Sequence, residues 1–455
     1  MTIKESIASD RSKMVESLRG LVKIRSVQGM AMPGCPFGEE IQKSLDYCLR
    51  LGKSMGLRTG SMDNHVGWCE YGDGEELICA LTHLDIVPEG EGWAYPPFGG
   101  VIADGRIYGR GTLDNKGPAI AAIYALKALA QSGIPLRRRV RVMFGLNEET
   151  GCAGVCHYVS NGGEIPVMAF TPDAEFPIIN GEKGAVAVEY RRYIAPSARG
   201  IHYLHAGIAP NVVPAVATAE LGLPMDEVRA LIERPFPHCT LGFADGGIVI
   251  KAKGRGAHAS TPEKGVNAIC RLIGALSELN PDGDSAESID FIKNTLCTDV
   301  NGKGLGIYCR DALSGEITVN LGLMCVVNGE ASLTLDIRYP VTRDANDFVP
   351  IMRAKMAAGG FEEISFRHNP SIYMPPESAL IQTLQRVYEN ETGTKAELLC
   401  MGGGTYAKTM PNCVAFGPIF PGEEMLDHQP NEYITVNNLI KNAEIYVSAM
   451  YELAK

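Results

Sequence analysis

The chain has 455 residues, of which 45% are hydrophobic and 21% are charged, and its formal net charge is -11. A chain of this length is too long for a single hydrophobic core of ordinary size, so we expect a soluble globular protein with two domains. The acidic balance argues against a nucleic-acid or anionic-membrane partner, because both require clustered Lys and Arg.

Hydrophobic periodicity predicts strands and helices in alternation through the first 180 residues. Predicted helices cover Ile3–Ile24, Gly38–Met55, an Ala-rich segment ending at Gln131, and Cys152–Ser160. Predicted strands cover Val66–Tyr71, Leu77–Leu81, a hairpin in Gly99–Tyr108, Val140–Leu146 and Val167–Thr171. Such alternation is typical of an α/β sheet with helices on its faces.

The alternation stops near Gly184 and returns after Met374. Between them, a mixed pattern predicts strands Ala185–Tyr193, Gly247–Ala252, Ile317–Met324 and Ser332–Tyr339, and helices around Asn267–Leu279 and Asp347–Ala358. Beyond them we expect helix Ser378–Glu391, strands Leu398–Met401 and Cys413–Gly417, and helix Ile434–Leu453. We therefore predict an inserted domain over residues 185–374, and one discontinuous domain over residues 1–184 and 375–455.

The hydropathy of the chain and the spacing of its cysteines predict the cellular compartment of the protein. The longest apolar stretch, Ala119–Ala130, is too short to span a bilayer, and residues 1–25 lack the apolar core of a secretory signal. Thirteen cysteines without framework spacing fit reduced thiols, so we predict a cytoplasmic protein. Cys152, Cys156 and His157 share a helix face, but no second pair completes a zinc site, so we expect buried helix packing there.

The segment Thr82-His83-Leu84-Asp85 follows a buried strand. Residues two apart on a strand share a face, so His83 and Asp85 point the same way. A histidine backed by a carboxylate is the usual arrangement of a metal ligand. Taken alone, the pair is more typical of a buried polar contact than of a metal site.

Other acids occur at comparable positions, at the end of a predicted strand or in the loop after it. The candidates are His83, Asp85, Asp114, Glu148, Glu149 and Asp173. In open α/β sheets, sites form at that edge. Carboxylates placed so close together repel unless a cation lies between them, so we expect divalent metal. Oxygen and imidazole ligands suit zinc, manganese or cobalt.

Glu148 and Glu149 are adjacent, so both cannot approach one ion from a strand end in the same way. We expect one to be a ligand and the other a proton shuttle. Hydrolysis by a metal-polarised water needs a base and then an acid, and one glutamate can serve both steps.

Four ordered motifs carry a family resemblance: Thr82–Asp85, Gly109–Gly117, Asn147–Gly151 and Pro172–Glu175. They resemble the di-zinc aminoacylase/carboxypeptidase G/dipeptidase metallopeptidases, and most of all the bacterial PepV-type (Xaa-His) dipeptidases. The resemblance implies a zinc-peptidase-like catalytic domain, a mixed sheet flanked by helices, with an inserted α+β lid domain. It covers nearly the whole chain.

By this resemblance the protein would bind two divalent metal ions, zinc first, with manganese or cobalt as alternatives. His83 and Asp173 would hold one ion, Glu149 and His428 the other, and Asp114 would bridge them. The last ligand lies in a motif that runs from Phe420 to Glu432 and resembles the family's final ligand motif.

The resemblance also implies roles beside the metals. Asp85 would orient His83, and Glu148 would be the general base. A non-proline cis peptide bond would follow the bridging aspartate, between Asp114 and Asn115.

The inserted segment resembles the family's lid over the motif Gly254–Ala268. Its histidine, His258, would bond the substrate carbonyl as that oxygen becomes negative. Further substrate contacts would come from Asn211, Arg338 and a glycine loop whose backbone amides suit a carboxylate. That loop is Gly402-Gly403-Gly404-Thr405.

Three functional hypotheses follow. The first is a dipeptidase that hydrolyses short peptides with a free C-terminal carboxylate. The second is a deacylase or desuccinylase of N-acyl amino acids with the same metals, and the third is a non-catalytic binding protein, against which the complete set of site residues argues. The partner is a small peptide in the first hypothesis. Because the inserted segment is longer than the lid of many relatives, we also predict that His258 acts within its own chain, in a monomer.

Overall fold

A computed structural model describes residues 3–233 and 236–455. Within those ranges the chain forms two compact units. The first unit comprises Met1–Gly181, Met374–Leu399 and Gly404–Lys455, and the inserted unit comprises Glu182–Tyr373 and Cys400–Gly403. The predicted bounds of the insertion, residues 185 and 374, lie within three residues of the main bounds of this unit.

The first 182 residues alternate strands and helices much as the periodicity predicts. The helices are α1 Ile3–Ser9, α2 Arg11–Val22, α3 Glu39–Ser54, α4 Lys116–Ser132 and α5 Ala153–Ser160. The strands are β1 Arg58–Met62, β2 Val66–Tyr71, β3 Leu77–His83, β4 Val101–Ala103, β5 Arg106–Tyr108, β6 Arg139–Gly145, β7 Met168–Thr171, β8 Ala174–Glu175 and β9 Ile178–Glu182.

The inserted unit follows, and the chain then returns to the first unit. The elements of the insertion are β10 Gly184–Tyr193, β11 Ile201–Ala206, β12 Val216–Gly222, α6 Met225–Ile232, β13 Cys239–Ala244, β14 Gly247–Lys253, α7 Ala268–Glu278, α8 Gly283–Thr295, β15 Arg310–Asp311, β16 Gly315–Glu316, β17 Thr318–Val327, β18 Glu330–Tyr339, α9 Val349–Ala358, β19 Glu362–Asn369 and β20 Ile372–Tyr373. The remaining elements are α10 Ala379–Thr392, β21 Leu398–Met401, β22 Cys413–Ala415, β23 Pro418–Ile419, β24 Tyr433–Thr435 and α11 Val436–Ala454.

The main sheet of the first unit is mixed. Its strands in this unit run in the order β1-β2-β6-β3-β7-β22-β9. The central strands β6, β3, β7 and β22 are parallel, and β2 joins β6 in the antiparallel sense. Strand β3 is buried along its whole length, as a central parallel strand with covered faces should be. The carboxyl ends of the parallel strands therefore meet at one edge.

Helices α4 and α11 pack against one another and against β3. Helix α4 is Ala-rich and buried over nearly all its positions, which is typical of a helix that is covered on all sides. It ends at Gly133, whose φ of +64 is the left-handed conformation that stops a helix and that glycine adopts without strain. Because α4 begins at Lys116, its packing also fixes the loop just before it.

The inserted unit contains one eight-stranded antiparallel sheet in the order β13-β14-β12-β11-β17-β18-β10-β19. Helix α7 packs on β12 and β14, and α9 packs on β19. A separate apolar core fills the space between this sheet and its helices. The unit is α+β, and the first unit is α/β, which agrees with the predicted fold class.

Candidate active site

Three predicted site segments leave the carboxyl edge of the main sheet side by side. His83 is the last residue of β3 and lies opposite Gly145, the last residue of β6. Glu148 and Glu149 follow β6 within four residues, and Asp173 follows β7 within two. Since β3 lies between β6 and β7, the parallel topology alone brings these side chains together.

Asp114 reaches the same cluster by another route. It follows β5, which belongs to a separate three-stranded sheet in the order β24-β5-β4, and it precedes α4. The expectation that each candidate leaves the main sheet is therefore wrong for Asp114. Its peptide bond to Asn115 is cis, as the resemblance implies.

The carboxylate of Asp114 lies between the two imidazoles. Its Oδ1 is 2.9 Å from His83 Nε2, and its Oδ2 is 3.1 Å from His428 Nε2. On the outer sides, Asp173 Oδ1 lies 3.4 Å from His83 Nε2, and Glu149 Oε2 lies 2.9 Å from His428 Nε2. The structure thus brings together all five predicted ligands, in the pairs that the resemblance implies.

Asp85 contacts His83 mainly through its main chain. His83 Nδ1 lies 2.9 Å from the carbonyl oxygen of Asp85, which can only accept, so Nδ1 donates and Nε2 faces the acids. The carboxylate of Asp85 is 3.5 Å from the same nitrogen and accepts the backbone amides of Glu148 and Glu149 at 3.0 Å each. Asp85 therefore fixes both the imidazole and the turn that carries the glutamates.

Burial and mutual repulsion perturb the acids of the cluster. Burial and the charge of Asp173 raise the pKa of Glu148 well above its usual range. Burial and the charge of Asp114 raise the pKa of Glu149 to about 7, and burial also raises the pKa of Asp173. Burial opposes ionisation of Asp114 too, but hydrogen bonds from His428 and His83 outweigh it and lower the pKa of Asp114.

The donor set suits divalent metal. One triplet of candidate ligand atoms comes from His83, Asp114 and Glu149, another comes from His83, Glu148 and Asp173, and within each triplet all atoms lie within 4.8 Å of one another. Glu149 Oε1 is buried and has no hydrogen-bond donor among the residues that the structure describes, so these residues alone do not satisfy the carboxylate. Ions bound by oxygen and imidazole would satisfy it and relieve the repulsion.

His428 differs from His83 in its backbone. Its φ is +62, the left-handed region that few residues other than glycine adopt, and its side chain is 50% exposed. Such conformations persist only where the surroundings impose them, and they cluster at functional sites. The neighbouring Asp427 has a buried oxygen that accepts no hydrogen bond from the described part of the chain, and no motif predicted a role for it.

Asn115, which holds Asp173, was not among the predicted site residues. Asn115 Nδ2 donates to Asp173 Oδ1 at 2.8 Å and to the carbonyl of Pro172 at 2.6 Å. Its Oδ1 accepts the amide of His83 at 3.4 Å. Its place directly after the predicted bridging ligand was the only signal of this function.

In the inserted unit, His258 and Asn211 lie on paired segments. Val212 forms a bridge with His258, and the amide of Ala259 donates to the carbonyl of Asn211 at 2.9 Å. The amide of Ser260 donates to His258 Nδ1 at 3.2 Å, which leaves Nε2 as the protonated nitrogen of the neutral ring.

Arg338 is held by a carboxylate of its own strand. Its Nε and Nη2 donate to Asp336 at 2.7 and 2.9 Å, and its Nη1 donates to the carbonyl of Gly402 at 3.4 Å. A Cβ on Gly402 would lie 2.5 Å from that of Ser260, so only glycine fits there. The inserted unit thus groups Arg338 and Gly402 with the His258 segment.

The glycine loop belongs to both units. Gly402 and Gly403 are part of the inserted unit, whereas Gly404 and Thr405 are part of the first unit. Thr405 Oγ1 accepts the amide of Ala407 at 3.1 Å and caps a short 3-10 helix. The structure therefore assigns Thr405 a capping contact that the sequence did not predict.

Two further predictions concern the cysteines and the membrane. All thirteen cysteines are free thiols, but Cys156 is exposed, so buried packing is wrong for it. His157, beside it, bonds Asp63 at 2.8 Å and stacks on His65. Among the described residues, no helix has the length and apolarity needed to cross a bilayer.

Known proteins share this architecture. The chain is similar to human carnosine dipeptidase 1, with a TM-score of 0.59 at 15% identity over 99% of this chain and 98% of that one. It is also similar to the dipeptidase Dug1p from Saccharomyces cerevisiae, with a TM-score of 0.60 at 12% identity over 99% and 97%. An amidase of the hydantoinase/carbamoylase family from Burkholderia multivorans gives 0.51 at 13% identity over 98% of both chains, so the fold alone does not select a substrate.

Relatives found by sequence similarity have higher identity to this chain than these solved structures do. The chain is 35% identical over 467 residues, 100% of both proteins, to "Putative dipeptidase YtjP" of Bacillus subtilis (strain 168). It is 33% identical over 465 residues, 99% of both, to a protein of Staphylococcus epidermidis that carries the same dipeptidase description. The model of Peptidase family M20/M25/M40 matches residues 79–452. The predicted family resemblance and fold class are thus confirmed, and this chain belongs to Peptidase family M20/M25/M40.

Proposed function

We propose that the protein is a metal-dependent dipeptidase that hydrolyses dipeptides and short peptides with a free C-terminal carboxylate. The observation that carries the proposal is the position of Asp114, whose two oxygens face His83 and His428 at 2.9 and 3.1 Å. An acid shared by two imidazoles, each with a second acid beside it, is a donor set for two cations. The dipeptidase names of the full-length relatives favour a peptide substrate.

In this proposal His83 and Asp173 hold one ion, Glu149 and His428 hold the other, and Asp114 is shared. Zinc is our first choice, although manganese or cobalt would accept the same donors. When bound, such ions polarise a carbonyl oxygen and lower the pKa of a coordinated water. The main-chain carbonyl of Asp85 keeps the proton on Nδ1 of His83, so that Nε2 keeps its lone pair for the ion.

Glu148 is the proposed general base. It would take a proton from the attacking water and return it to the departing amine. Its amide is held by Asp85 at 3.0 Å, and burial raises its pKa well above the usual range, which favours uptake of a proton from water. Its neighbour Glu149 has an imidazole partner, His428, which supports the division of roles.

The inserted unit is the proposed lid. His258 would donate from Nε2 to the carbonyl oxygen as it gains charge, a contact worth roughly 3 kcal/mol. Asn211, on the paired segment, would assist it, and Arg338 would bind the C-terminal carboxylate. Backbone amides of the loop from Gly402 to Thr405 would complete that recognition.

Metal analysis combined with a substrate panel tests the proposal. We expect two equivalents of metal per chain, loss of hydrolysis on chelation, and its recovery with zinc. The panel pairs each dipeptide with its C-terminal amide and with an N-acyl amino acid of similar size. Preferred cleavage of N-acyl amino acids would support the deacylase hypothesis, and full activity with one tightly bound ion would contradict the two-metal arrangement.

We also propose that the protein works in the cytoplasm, because thirteen free thiols suit a reducing compartment.

A further inference from the structure

Glu432 is a completely buried carboxylate of the first unit that contacts the loop before Asp114. Its Oε2 accepts from Arg110 Nη1 at 2.7 Å and from the amide of Gly111 at 3.0 Å. Its Oε1 accepts the amides of Leu113 and Asp114 at 2.8 and 3.2 Å. Four donors on one carboxylate fix the main chain of the loop up to the shared acid itself.

Arg110 extends these contacts to two other segments. The same Nη1 donates to the carbonyl of Gln429 at 3.2 Å, and Nη2 donates to the carbonyl of Glu89 at 3.4 Å. The guanidinium is 2% exposed and lies 5.3 Å from the ring centroid of Trp93. The pair therefore joins the loop before Asp114, the segment that follows β3, and the segment that carries His428.

The backbone of Glu432 also holds the loop before Asp114. The amide of Gly109 donates to the carbonyl of Glu432 at 3.0 Å, so both the side chain and the backbone of Glu432 hold the same loop. Glu432 lies four residues after His428 and begins the approach to β24, which pairs with β5. Displacement of one segment would therefore displace the other.

Desolvation offsets much of the attraction within a buried ion pair, so the pair of Glu432 and Arg110 is weak evidence for stability. Its contacts with two segments of the site indicate a role in positioning them. We propose that Glu432 is a positioning residue that, together with Arg110, sets Asp114 and His428 at the separation that metal binding requires. This inference rests on the proposed function. It predicts that the pair acts on the affinity for metal, not only on folding.

The test compares Glu432→Gln with a matched control, Glu70→Gln. Glu70 is also buried in the first unit, at 7% exposure, and is bonded by Arg141 Nε and Nη2 at 2.9 and 2.6 Å. It lies on β2 opposite Arg141, at the far end of β6 from the glutamates. Both variants remove the charge of a buried carboxylate that has an arginine partner, but only one of these carboxylates contacts the metal-site loop.

Zinc affinity is measured by competition with a chelator, and the cobalt-substituted proteins are compared by absorption. We expect Glu432→Gln to weaken at least one zinc equivalent by about 10- to 100-fold and to change the cobalt spectrum, the size of effect known for residues that support metal ligands. Glu70→Gln should retain the wild-type affinity and spectrum, whatever its melting temperature.

Unchanged zinc affinity and an unchanged cobalt spectrum in folded Glu432→Gln would overturn the inference. If that variant fails to fold, Arg110→Lys decides, because it keeps the charge beside Glu432 but cannot bond both carbonyls. Wild-type affinity in Arg110→Lys would then overturn the inference, and weaker binding would support it. Fewer than two equivalents in the wild type would instead contradict the proposed two-metal site, so the two failures are distinguishable.

Discussion

Glu148 and Glu149 are neighbours in the chain, yet their side chains have different surroundings. Asp85 holds both amides at 3.0 Å, which fixes the turn, and Glu149 Oε2 then meets His428 at 2.9 Å. Glu148 instead lies with His83 and Asp173. Because a fixed turn directs adjacent side chains apart, one glutamate can bind metal while the other remains available to a proton.

Replacement of Glu148 by glutamine separates these roles. The amide cannot accept the proton of the attacking water, so we expect turnover to fall by about 10²–10⁴-fold. The metal content should stay near that of the wild type, since no proposed ligand is removed. Parallel measurements of kcat and of bound zinc check this, and loss of the metal would mean that the two glutamates have exchanged roles.

Metal binding should release protons. Burial alone would lower the pKa of His428, but hydrogen bonds to Asp114 and Glu149 outweigh it and raise that pKa to about 11 in the metal-free protein. The imidazolium must lose its proton before it can bind metal, so the affinity should rise with pH throughout the range below that value. Titration calorimetry in buffers of different ionisation enthalpy counts the protons, and a count of zero would contradict this prediction.

Strands β17 and β18 carry the polar residues that support the proposed lid contacts. Asn320 lies opposite Asp336 in their register, and both are buried. Asn320 Nδ2 donates to the carbonyls of Pro210 and Val212 at 2.9 and 3.0 Å, on either side of Asn211. Asp336 holds the guanidinium of Arg338 with two bonds. This pair of strands thus holds both Asn211 and Arg338, which are more than 100 residues apart in the chain.

Arg338→Ala tests this organisation. A charge-assisted contact to the substrate carboxylate is worth about 1.5–3 kcal/mol, so we expect kcat/KM for free-acid dipeptides to fall by 10-fold or more. The matched control is Arg353→Ala, because Arg353 donates to Glu363 with the same two-bond geometry in the same unit, at 2.7 and 2.8 Å. This control should retain the wild-type value. If the wild type cleaves amidated and free-acid dipeptides equally well, Arg338 does not bind the carboxylate.

The length of the inserted unit bears on whether the proposed lid acts on the metal site of its own chain or on that of a second copy. The inserted unit, Glu182–Tyr373, is long enough to have its own eight-stranded sheet and its own apolar core. Its length supports the hypothesis that His258 acts on the metals of its own chain and that the protein works as a monomer. Nothing in this hypothesis requires residues from a second copy.

Complementation checks the monomer hypothesis. Glu148→Ala lacks the proposed base and His258→Ala lacks the proposed lid donor, so each should be inactive alone. If every lid serves its own site, their mixture should also be inactive, because each chain still has one defect. Each variant mixed with itself is the control, and the native mass in solution should be that of one chain. Recovery of hydrolysis in the mixture would show that the lid is exchanged between chains.

Some elements could not be predicted from the sequence, for identifiable reasons. Edge strand β19 is exposed at most of its positions, so it lacks the alternation of apolar residues by which a strand is recognised. Helix α8 buries Ser285 and Ser288 beside its isoleucines, so its apolar stripe is interrupted. In contrast, β3 is buried throughout and α4 is buried over nearly all its positions, and their apolar sequences predict both elements to within a few residues.

The amino-acid sequence alone identifies the residues that follow the central strands. His83, Glu148, Glu149 and Asp173 come directly after apolar segments, and parallel strands necessarily bring their carboxyl ends to one edge. The folded chain was needed to see that Glu432 contacts Asp114, more than 300 residues earlier in the chain, and that the main-chain carbonyl of Asp85 orients His83. Strand periodicity is a local property, whereas a buried carboxylate takes its donors from whichever segments the folded core brings beside it.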